Sequence, residues 1–156
     1  MSNPNLLIKL SVWKRLMKEL KSRGNGRRET GAFLLGKQNE NLVDDFIPYN
    51  ELDPKAFDSG IIIFNGDGFI PLWNYCLKTG KKVLADVHTH PDSWTGQSAS
   101  DQHHPMIAQK GHIALIVPHY GTKKKQLLNG VGMHEFLGDR SWKSWSEEDE
   151  KIKLIK

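Results

Sequence analysis

The sequence has little of what anchors a protein in a membrane or stabilises a secreted one. It contains a single cysteine, Cys76, which excludes an internal disulfide and a cysteine-based zinc site. No apolar run approaches the roughly 18 residues of a membrane-spanning helix. The first residues lack the charged region, long apolar stretch and cleavage site of a signal peptide. We therefore expect a reducing, cytoplasmic setting, in which Cys76 fills space in the core.

The chain also lacks a strong charge of either sign. Its formal net charge is +4, and 38% hydrophobic with 26% charged residues is typical of one globular domain with a proper core. The positive charge comes mainly from Arg27–Arg28, Lys81–Lys82 and Lys123–Lys125. We interpret these clusters as solvated loops, because no recognition helix, zinc finger or aromatic RNA-binding motif accompanies them. A partner with an acidic face is left open.

Apolar periodicity predicts a mixture of strands and helices, without internal repeats or low-complexity linkers. About six or seven strands are expected, the first of them at a sheet edge: residues 6–10, 29–36, 42–49, 61–64, 82–88, 112–117 and 127–136. Helices are expected at residues 11–23, 71–79 and 99–109. In the first helix Ser11 is the expected N-cap, and Val12, Leu16 and Leu20 form the buried stripe.

The end of the sequence carries its acidic residues before its basic ones. The acidic stretch Ser146–Asp149 precedes three lysines, an order that favours a helix through its dipole. Ile152 and Leu154 alternate as in a strand, so this alternative stays open. We expect one domain over residues 1–137, followed by a charged tail over residues 138–156 that is helical and packs on the domain.

The residues with the clearest chemistry lie between His88 and Asp101. His88 and His90 end a predicted strand, on which side chains two residues apart point to one face, so both imidazoles can aim at one point. Ser98 and Asp101 have the spacing of a helix capping box, which would fix the direction of the Asp101 carboxylate. Each pair alone is explained by a polar strand face or a helix cap. Together they supply three of the four ligands of a catalytic zinc, and they predict a divalent metal.

Three other kinds of metal site do not fit this pattern. The chain has no His-Glu-x-x-His helix of the metalloprotease type. A metallo-β-lactamase-like site needs another histidine soon after His90, where Pro91, Asp92 and Ser93 stand. An amidohydrolase barrel also uses a His-x-His strand end, but it needs about 250 residues.

The complete pattern resembles the JAMM motif of JAB/MPN domain metalloproteases. It consists of His88-x-His90-x7-Ser98-x2-Asp101 and an upstream Glu29 in Arg-Glu-Thr-Gly-Ala-Phe-Leu-Leu-Gly. The resemblance extends over nearly the whole predicted domain and departs from the motif at no position. It implies an α/β fold in which a curved, mostly antiparallel mixed sheet is flanked by helices.

The same resemblance implies a role for each residue of the motif. His88, His90 and Asp101 are expected to ligate one zinc ion, with water in the fourth position. Glu29 is expected to bond that water as general base and to pass the proton to the leaving amine. Ser98 is expected to donate a hydrogen bond to the developing oxyanion. Without the resemblance, Glu29 would be interpreted as a surface residue at a strand end.

The implied activity is that of a zinc isopeptidase that cleaves after the C-terminus of a ubiquitin-like modifier, in precursor processing or in deconjugation. The compact domain resembles bacterial members that work beside E1- and E2-like enzymes, some of them in anti-phage defence. Two alternatives use the same residues, namely a processor of sulfur-carrier proteins or cysteine adducts, and a phage-tail-type peptidase. A third alternative is a RadC-like, nucleic-acid-associated protein.

The remaining histidines and tryptophans receive structural interpretations. His103 and His104 follow Asp101 directly and are expected at the rim of the site, beside the ligands rather than among them. Three further histidines have no motif around them and are expected to be structural: His112, His119 and His134. Four tryptophans are expected to pack in the core or at its rim rather than line a docking surface: Trp73, Trp94, Trp142 and Trp145.

Overall fold

Two β-sheets, one of six strands and one of three, organise residues 4–156. The computed structural model describes residues 4–156. The strands are β1 (Leu6–Lys9), β2 (Gly31–Lys37), β3 (Leu42–Val43), β4 (Asp45–Pro48), β5 (Lys81–Thr89), β6 (Ile113–Val117), β7 (Gly132–Gly138), β8 (Ser141–Trp145) and β9 (Ile152–Ile155). The α-helices are α1 (Leu10–Gly24), α2 (Tyr49–Leu52), α3 (Phe69–Thr79) and α4 (Ala99–His103).

The six-stranded sheet has the order β4-β2-β5-β6-β7-β8. All of its neighbouring strands are antiparallel except β5 and β6, which are parallel. A parallel pair requires a crossover connection, and here the crossover contains α4 and the loops around it. The expected α/β fold, a mostly antiparallel mixed sheet flanked by helices, is confirmed.

The three-stranded sheet is entirely parallel, with the order β3-β1-β9. The first strand is therefore central in its sheet, and its expected edge position is wrong. The helix expected in residues 138–156 is also wrong, because these residues contribute β8 and β9. Burying a side chain such as Ile152, which is 3% exposed, contributes about 1.5–3 kcal/mol. A favourable helix dipole contributes only about 0.3–1 kcal/mol per charge.

Helix α1 presents the predicted apolar stripe to the core. Val12, Leu16 and Leu20 are buried, which confirms the stripe. The helix begins at Leu10 directly after β1, and the residue before it makes no side-chain cap, so the expected cap by Ser11 is wrong. The strand runs straight into the helix and leaves no turn in which a serine could cap.

Four other predicted elements differ in extent. The strand expected over residues 42–49 is split into β3 and β4, which join different sheets. The helix after Ser98 ends at His103 rather than at residue 109, and β7 begins only at Gly132. Helix α3 starts at Phe69, two positions before the proline expected to open it. Each boundary depends on which neighbour the backbone meets in the folded chain.

Residues 61–64 form an extended segment and not the expected strand. Ile62 and Phe64 pack against the core, whereas Ile61 and Ile63 are 57% and 59% exposed. The side chains thus alternate as in a strand. The segment's backbone contacts a loop, where Ile63 N donates to Ala56 O at 3.0 Å, instead of a neighbouring strand.

Buried side chains lie on both faces of the six-stranded sheet. One cluster packs α1 and β1 against residues such as Leu34 and Val87. The other packs α3 against Phe33 and Leu35 and contains Cys76, which is buried and unbonded as expected. Alternation along β5 directs Val87 into the first cluster and leaves its neighbours on the opposite face. No helix among residues 4–156 is long and apolar enough to cross a membrane.

Candidate metal centre

The two histidines of the motif converge at the end of β5. His88 pairs with Gly31 of β2 on one side and with Ile116 of β6 on the other. His90 continues the line of the strand, since its N–H donates to Val117 O at 2.9 Å. The two imidazoles therefore share a face, and their Nε2 atoms are 3.2 Å apart.

Asp101 reaches the histidines from the start of α4. Ser98 Oγ accepts from Asp101 N–H at 3.0 Å, and Asp101 Oδ2 accepts from Ser98 N–H at 3.0 Å. This reciprocal cap is the predicted capping box. The capped oxygen, Oδ2, lies 3.5 Å from His88 Nε2 and 3.3 Å from His90 Nε2. The cap thus directs the carboxylate at the imidazoles.

The three ligand atoms have the spacing of a tetrahedral metal site. Ligands about 2.0–2.1 Å from a tetrahedral zinc lie about 3.3 Å from one another, close to the three distances in this cluster. Among the described residues, His88, His90 and Asp101 are the group of acids, histidines or cysteine with converging ligand atoms. His90 Nδ1 is 3.1 Å from the Trp94 carbonyl. Because a carbonyl can only accept, Nδ1 carries a proton, which leaves Nε2 as the nitrogen that can ligate a metal once its own proton is lost.

The electrostatic surroundings keep Asp101 ionised. Burial raises the pKa of this carboxyl, but hydrogen bonds with His88 and His90 lower it more, and the Ser98 N–H lowers it further. The resulting pKa is well below the usual range. A deprotonated carboxylate is the form that ligates a metal. The residues present therefore fit a divalent metal ion.

Glu29 lines a surface groove that His88 and Asp101 also line. Its N–H donates to Gly60 O at 2.8 Å, and the next residue is tied to β5, with Thr30 N donating to Thr89 Oγ1 at 2.9 Å. Burial raises the pKa of the Glu29 carboxyl, and His88 and His90 partly offset this rise. A half-buried carboxyl whose pKa is displaced toward neutrality suits proton transfer.

Ser98 has one hydrogen-bonding function free after the cap is made. Its oxygen accepts from Asp101 N–H. A hydroxyl also has a proton to donate, and the cap does not use it. Ser98 lines the same groove as Glu29 and His88. The serine can therefore serve as helix cap and as hydrogen-bond donor to a group in the groove.

The groove over these residues has a volume of about 640 Å³. One part is polar and contains Glu29, His88 and Asp101. The remainder is largely apolar, and it includes Ile61, Ile63, Met106 and Trp142. The groove thus combines ionisable groups with an apolar wall, a combination typical of binding sites.

The other histidines lie outside the group of ligands. His103 and His104 are exposed on or beside α4, and only the latter lines the groove. His112 is buried, and its Nε2 lies 2.6 Å from Asp86 Oδ2. His119 is exposed in the loop after β6.

His134 is buried at 6% exposure. Burial lowers its pKa, and the nearby His88 and His90 lower it further.

Two features of the site were not predicted. The Trp94 indole stacks on the His90 ring, with centroids 5.3 Å apart and planes at 18°. Asp86 lies on the same face of β5 as His88 and lines the base of the groove. Its position two residues before His88 is the alternation signal that could have identified it. No sequence signal indicates the stacking of Trp94, since it depends on the loop conformation.

Buried polar groups lie beneath the ligands. Asp86 is 2% exposed beside His112, and the fully buried Tyr49 is close to the same carboxylate. Burial raises the pKa of the Tyr49 phenol well above its ordinary value, and the Asp86 charge raises it further. The tyrosine is therefore neutral throughout the working range of pH.

Comparison with known proteins shows the fold. No protein-family model matches the chain. A solution structure of a Desulfitobacterium hafniense protein superposes with a TM-score of 0.67 at 15% identity, covering 97% of this chain and 93% of that one. A Salinibacter ruber protein gives a TM-score of 0.60 at 13% identity, with coverages of 96% and 92%. A JAB1/MPN domain protein from Archaeoglobus fulgidus gives 0.47 at 19% identity, with coverages of 97% and 100%. The first two show a shared fold and nothing about activity, and the third similarity is too weak to support an argument.

Proposed function

We propose that this chain is a zinc-dependent metallopeptidase of the JAMM type. The observation that carries the proposal is the convergence of His88 Nε2, His90 Nε2 and Asp101 Oδ2 at 3.2–3.5 Å from one another. Glu29 faces the same groove with a raised pKa. These residues come from the start of β2, the end of β5 and the cap of α4, and together they match every position of the motif.

The proposed reaction is hydrolysis of an amide bond. A zinc ion held by the three ligands would supply Lewis acidity toward the scissile carbonyl and toward water. Glu29 takes one proton from the attacking water as the C–O bond forms, and it gives this proton to the leaving amine when the tetrahedral adduct collapses and the C–N bond breaks. The Ser98 hydroxyl donates to the oxyanion that develops on the carbonyl oxygen. The apolar wall orients the substrate chain beside these groups.

The proposed substrate is the extended C-terminus of a ubiquitin-like modifier, as a precursor or joined to a target. The motif supports this class, and the groove has room for an extended chain with apolar side chains against Ile61, Ile63 and Trp142. Further proposals are partnership with E1- and E2-like enzymes, a role in bacterial anti-phage defence, and a cytoplasmic setting. The last rests on the single buried Cys76.

The test combines zinc content with cleavage of a modifier–target fusion. Glu29→Gln keeps the size of the side chain and removes the base, so kcat/KM is expected to fall by about 10²–10⁴-fold with zinc content unchanged. Glu40→Gln, on an exposed turn, is the matched control and should cleave like wild type. Equal cleavage by wild type and Glu29→Gln would refute the mechanism.

A panel of substrates separates the remaining peptidase alternatives. Sulfur-carrier fusions, cysteine adducts and tail peptides would be cleaved by the same residues. Preference for any of them over a ubiquitin-like fusion would reassign the substrate while leaving the metal site in place.

One structural observation favours the nucleic-acid alternative as a second candidate. The turn that contains Arg27 and Arg28 lies beside the loop that contains Lys123–Lys125. The evidence is that a Cβ atom placed on Gly26 would lie 4.0 Å from Thr122 Cγ2. Two separate cationic clusters are thus neighbours. DNA binding that weakens steeply with salt, without cleavage of any peptide substrate, would favour this candidate.

A further inference from the structure

We propose that His134 is a positioning residue for the metal centre, which it influences through Thr95, Trp94 and the imidazole of His90. This inference rests on the proposed metal site and deepens it. The sequence gives His134 only a structural interpretation. Its contacts extend across the sheet to the loop that follows the second histidine ligand.

The orientation of His90 depends on the loop that follows it. Trp94 O is 3.1 Å from His90 Nδ1, and the Trp94 indole stacks on the same ring. Such a partner fixes the tautomer and the direction of a metal-ligating imidazole. Trp94 is itself 55% exposed, so burial in the core does not hold it. The loop must therefore be held by other contacts.

The first part of this loop is attached to the segment after β6. Asp92 O accepts from His119 N–H at 2.9 Å, and Asp92 Oδ1 accepts from Trp94 N–H at 3.0 Å. These bonds tie down the start of the loop. They leave the peptide after Trp94, which contains its carbonyl, to be fixed from the other side.

That other side is β7 and the turn before it. His134 Nε2 is 3.0 Å from Thr95 O, and Thr95 Oγ1 donates to Gly130 O at 3.1 Å. Gly132 lies so close that an added Cβ would be 2.0 Å from Thr95 O and 2.9 Å from His134 Nε2. Thr95 is thus contacted from three positions, and its neighbour Trp94 is placed against His90.

The hydrogen bonds of His134 define which of its ring nitrogens carries the proton. Thr95 O can only accept, so His134 Nε2 carries the proton. The other nitrogen, Nδ1, is then an acceptor, and Ser144 Oγ lies 2.8 Å from it. Both ring nitrogens of a neutral imidazole are satisfied. The side chain is consequently a rigid link between β8 and the loop.

The test measures metal affinity rather than turnover. His134→Leu removes the donor at similar size, and we expect about tenfold weaker zinc binding in competition with a chelator. A shifted Co²⁺ absorption spectrum is expected as well, since His90 would be reoriented. His134→Gln can place an amide N–H near Thr95 O and should restore both readouts to nearly wild-type values.

A second variant perturbs the same contact from the opposite side. Gly132→Ala is expected to push Thr95 O and His134 Nε2 apart and to weaken zinc binding about tenfold with the His134 side chain still present. Met133→Ala is the matched control, because Met133 is buried in the core on the other face of β7. It should lower thermal stability and leave the metal affinity and Co²⁺ spectrum of the folded protein unchanged.

The outcomes separate this inference from the proposed activity. Wild-type affinity and spectrum in both His134→Leu and Gly132→Ala would overturn the inference, as would equal losses in Met133→Ala. If the wild type binds no metal, the inference and the proposed function both fall. If it binds metal but cleaves no substrate, the peptidase proposal fails and the affinity series still decides the role of His134.

Discussion

Ser98 and Asp101 cap the same turn reciprocally, and the Asp101 oxygen that closes this cap is the one that faces the two imidazoles. A local helix-start motif therefore also aims a metal ligand. Ser98 N–H donates to Oδ2 at 3.0 Å, which leaves the second oxygen, Oδ1, outside the cap. The position of Ser98 in the groove follows from the same turn.

The double role of Asp101 as cap and ligand predicts that the same Asp→Asn substitution changes zinc affinity in one capping box and not in another. Asp101→Asn retains an oxygen for the cap but loses the charge, so zinc affinity should fall by more than about 100-fold. Asp149→Asn changes a second capping box, in which Ser146 N–H donates to Asp149 Oδ2 at 2.8 Å, and it should leave affinity unchanged. Chelator competition measures both variants. Equal affinities would show that Asp101 is only a cap.

Thr89 is expected to matter for stability and for catalysis, although it touches no substrate. Its buried Oγ1 accepts from Thr30 N–H at 2.9 Å beside Glu29. Thr89→Val would leave that N–H unpaired at a cost of about 1–3 kcal/mol. We expect the resulting displacement of Glu29 to lower kcat by up to about 10²-fold.

Denaturant unfolding and steady-state kinetics measure these two effects of Thr89→Val. Thr89→Ser keeps the acceptor and should recover most of both losses. Thr122→Val, at an exposed position, is the control for a lost hydroxyl. A Thr89→Val variant with wild-type stability and turnover would contradict the prediction.

Zinc should stabilise the folded chain, because the ion binds the folded state and not the unfolded state. At a free zinc concentration about 100 times Kd the gain is about 2.7 kcal/mol, which for a chain of this size raises Tm by about 5–10 °C. His88→Ala should abolish the shift. His103→Ala, an exposed histidine on α4, should retain it. Chelation of the wild type should reverse the rise in a thermal-shift measurement, and an equal rise in His88→Ala would count against the site.

Local sequence patterns determined the parts of the site that lie close together in the chain. The spacing of His88 and His90 places two side chains on one strand face, because alternation is a property of the strand itself. Ser98 and Asp101 form a cap within one helical turn. The buried stripe of α1 likewise follows from helix geometry alone.

Long-range contacts decided the parts that sequence patterns left open. Glu29 reaches the ligands only because β2 pairs with β5 in the register that sets Gly31 opposite His88. The final residues form β9 because β1 offers a parallel partner and the core buries Ile152. His134 and Trp94 meet through Thr95 because β7 lies beside the loop. Residues 61–64 alternate like a strand yet find no strand to pair with. Strand pairing, register and loop contacts join residues that are distant in the chain, so the energies of these contacts are determined only in the folded structure. The histidine pair and the cap involve neighbours in the chain, and the sequence by itself determines them.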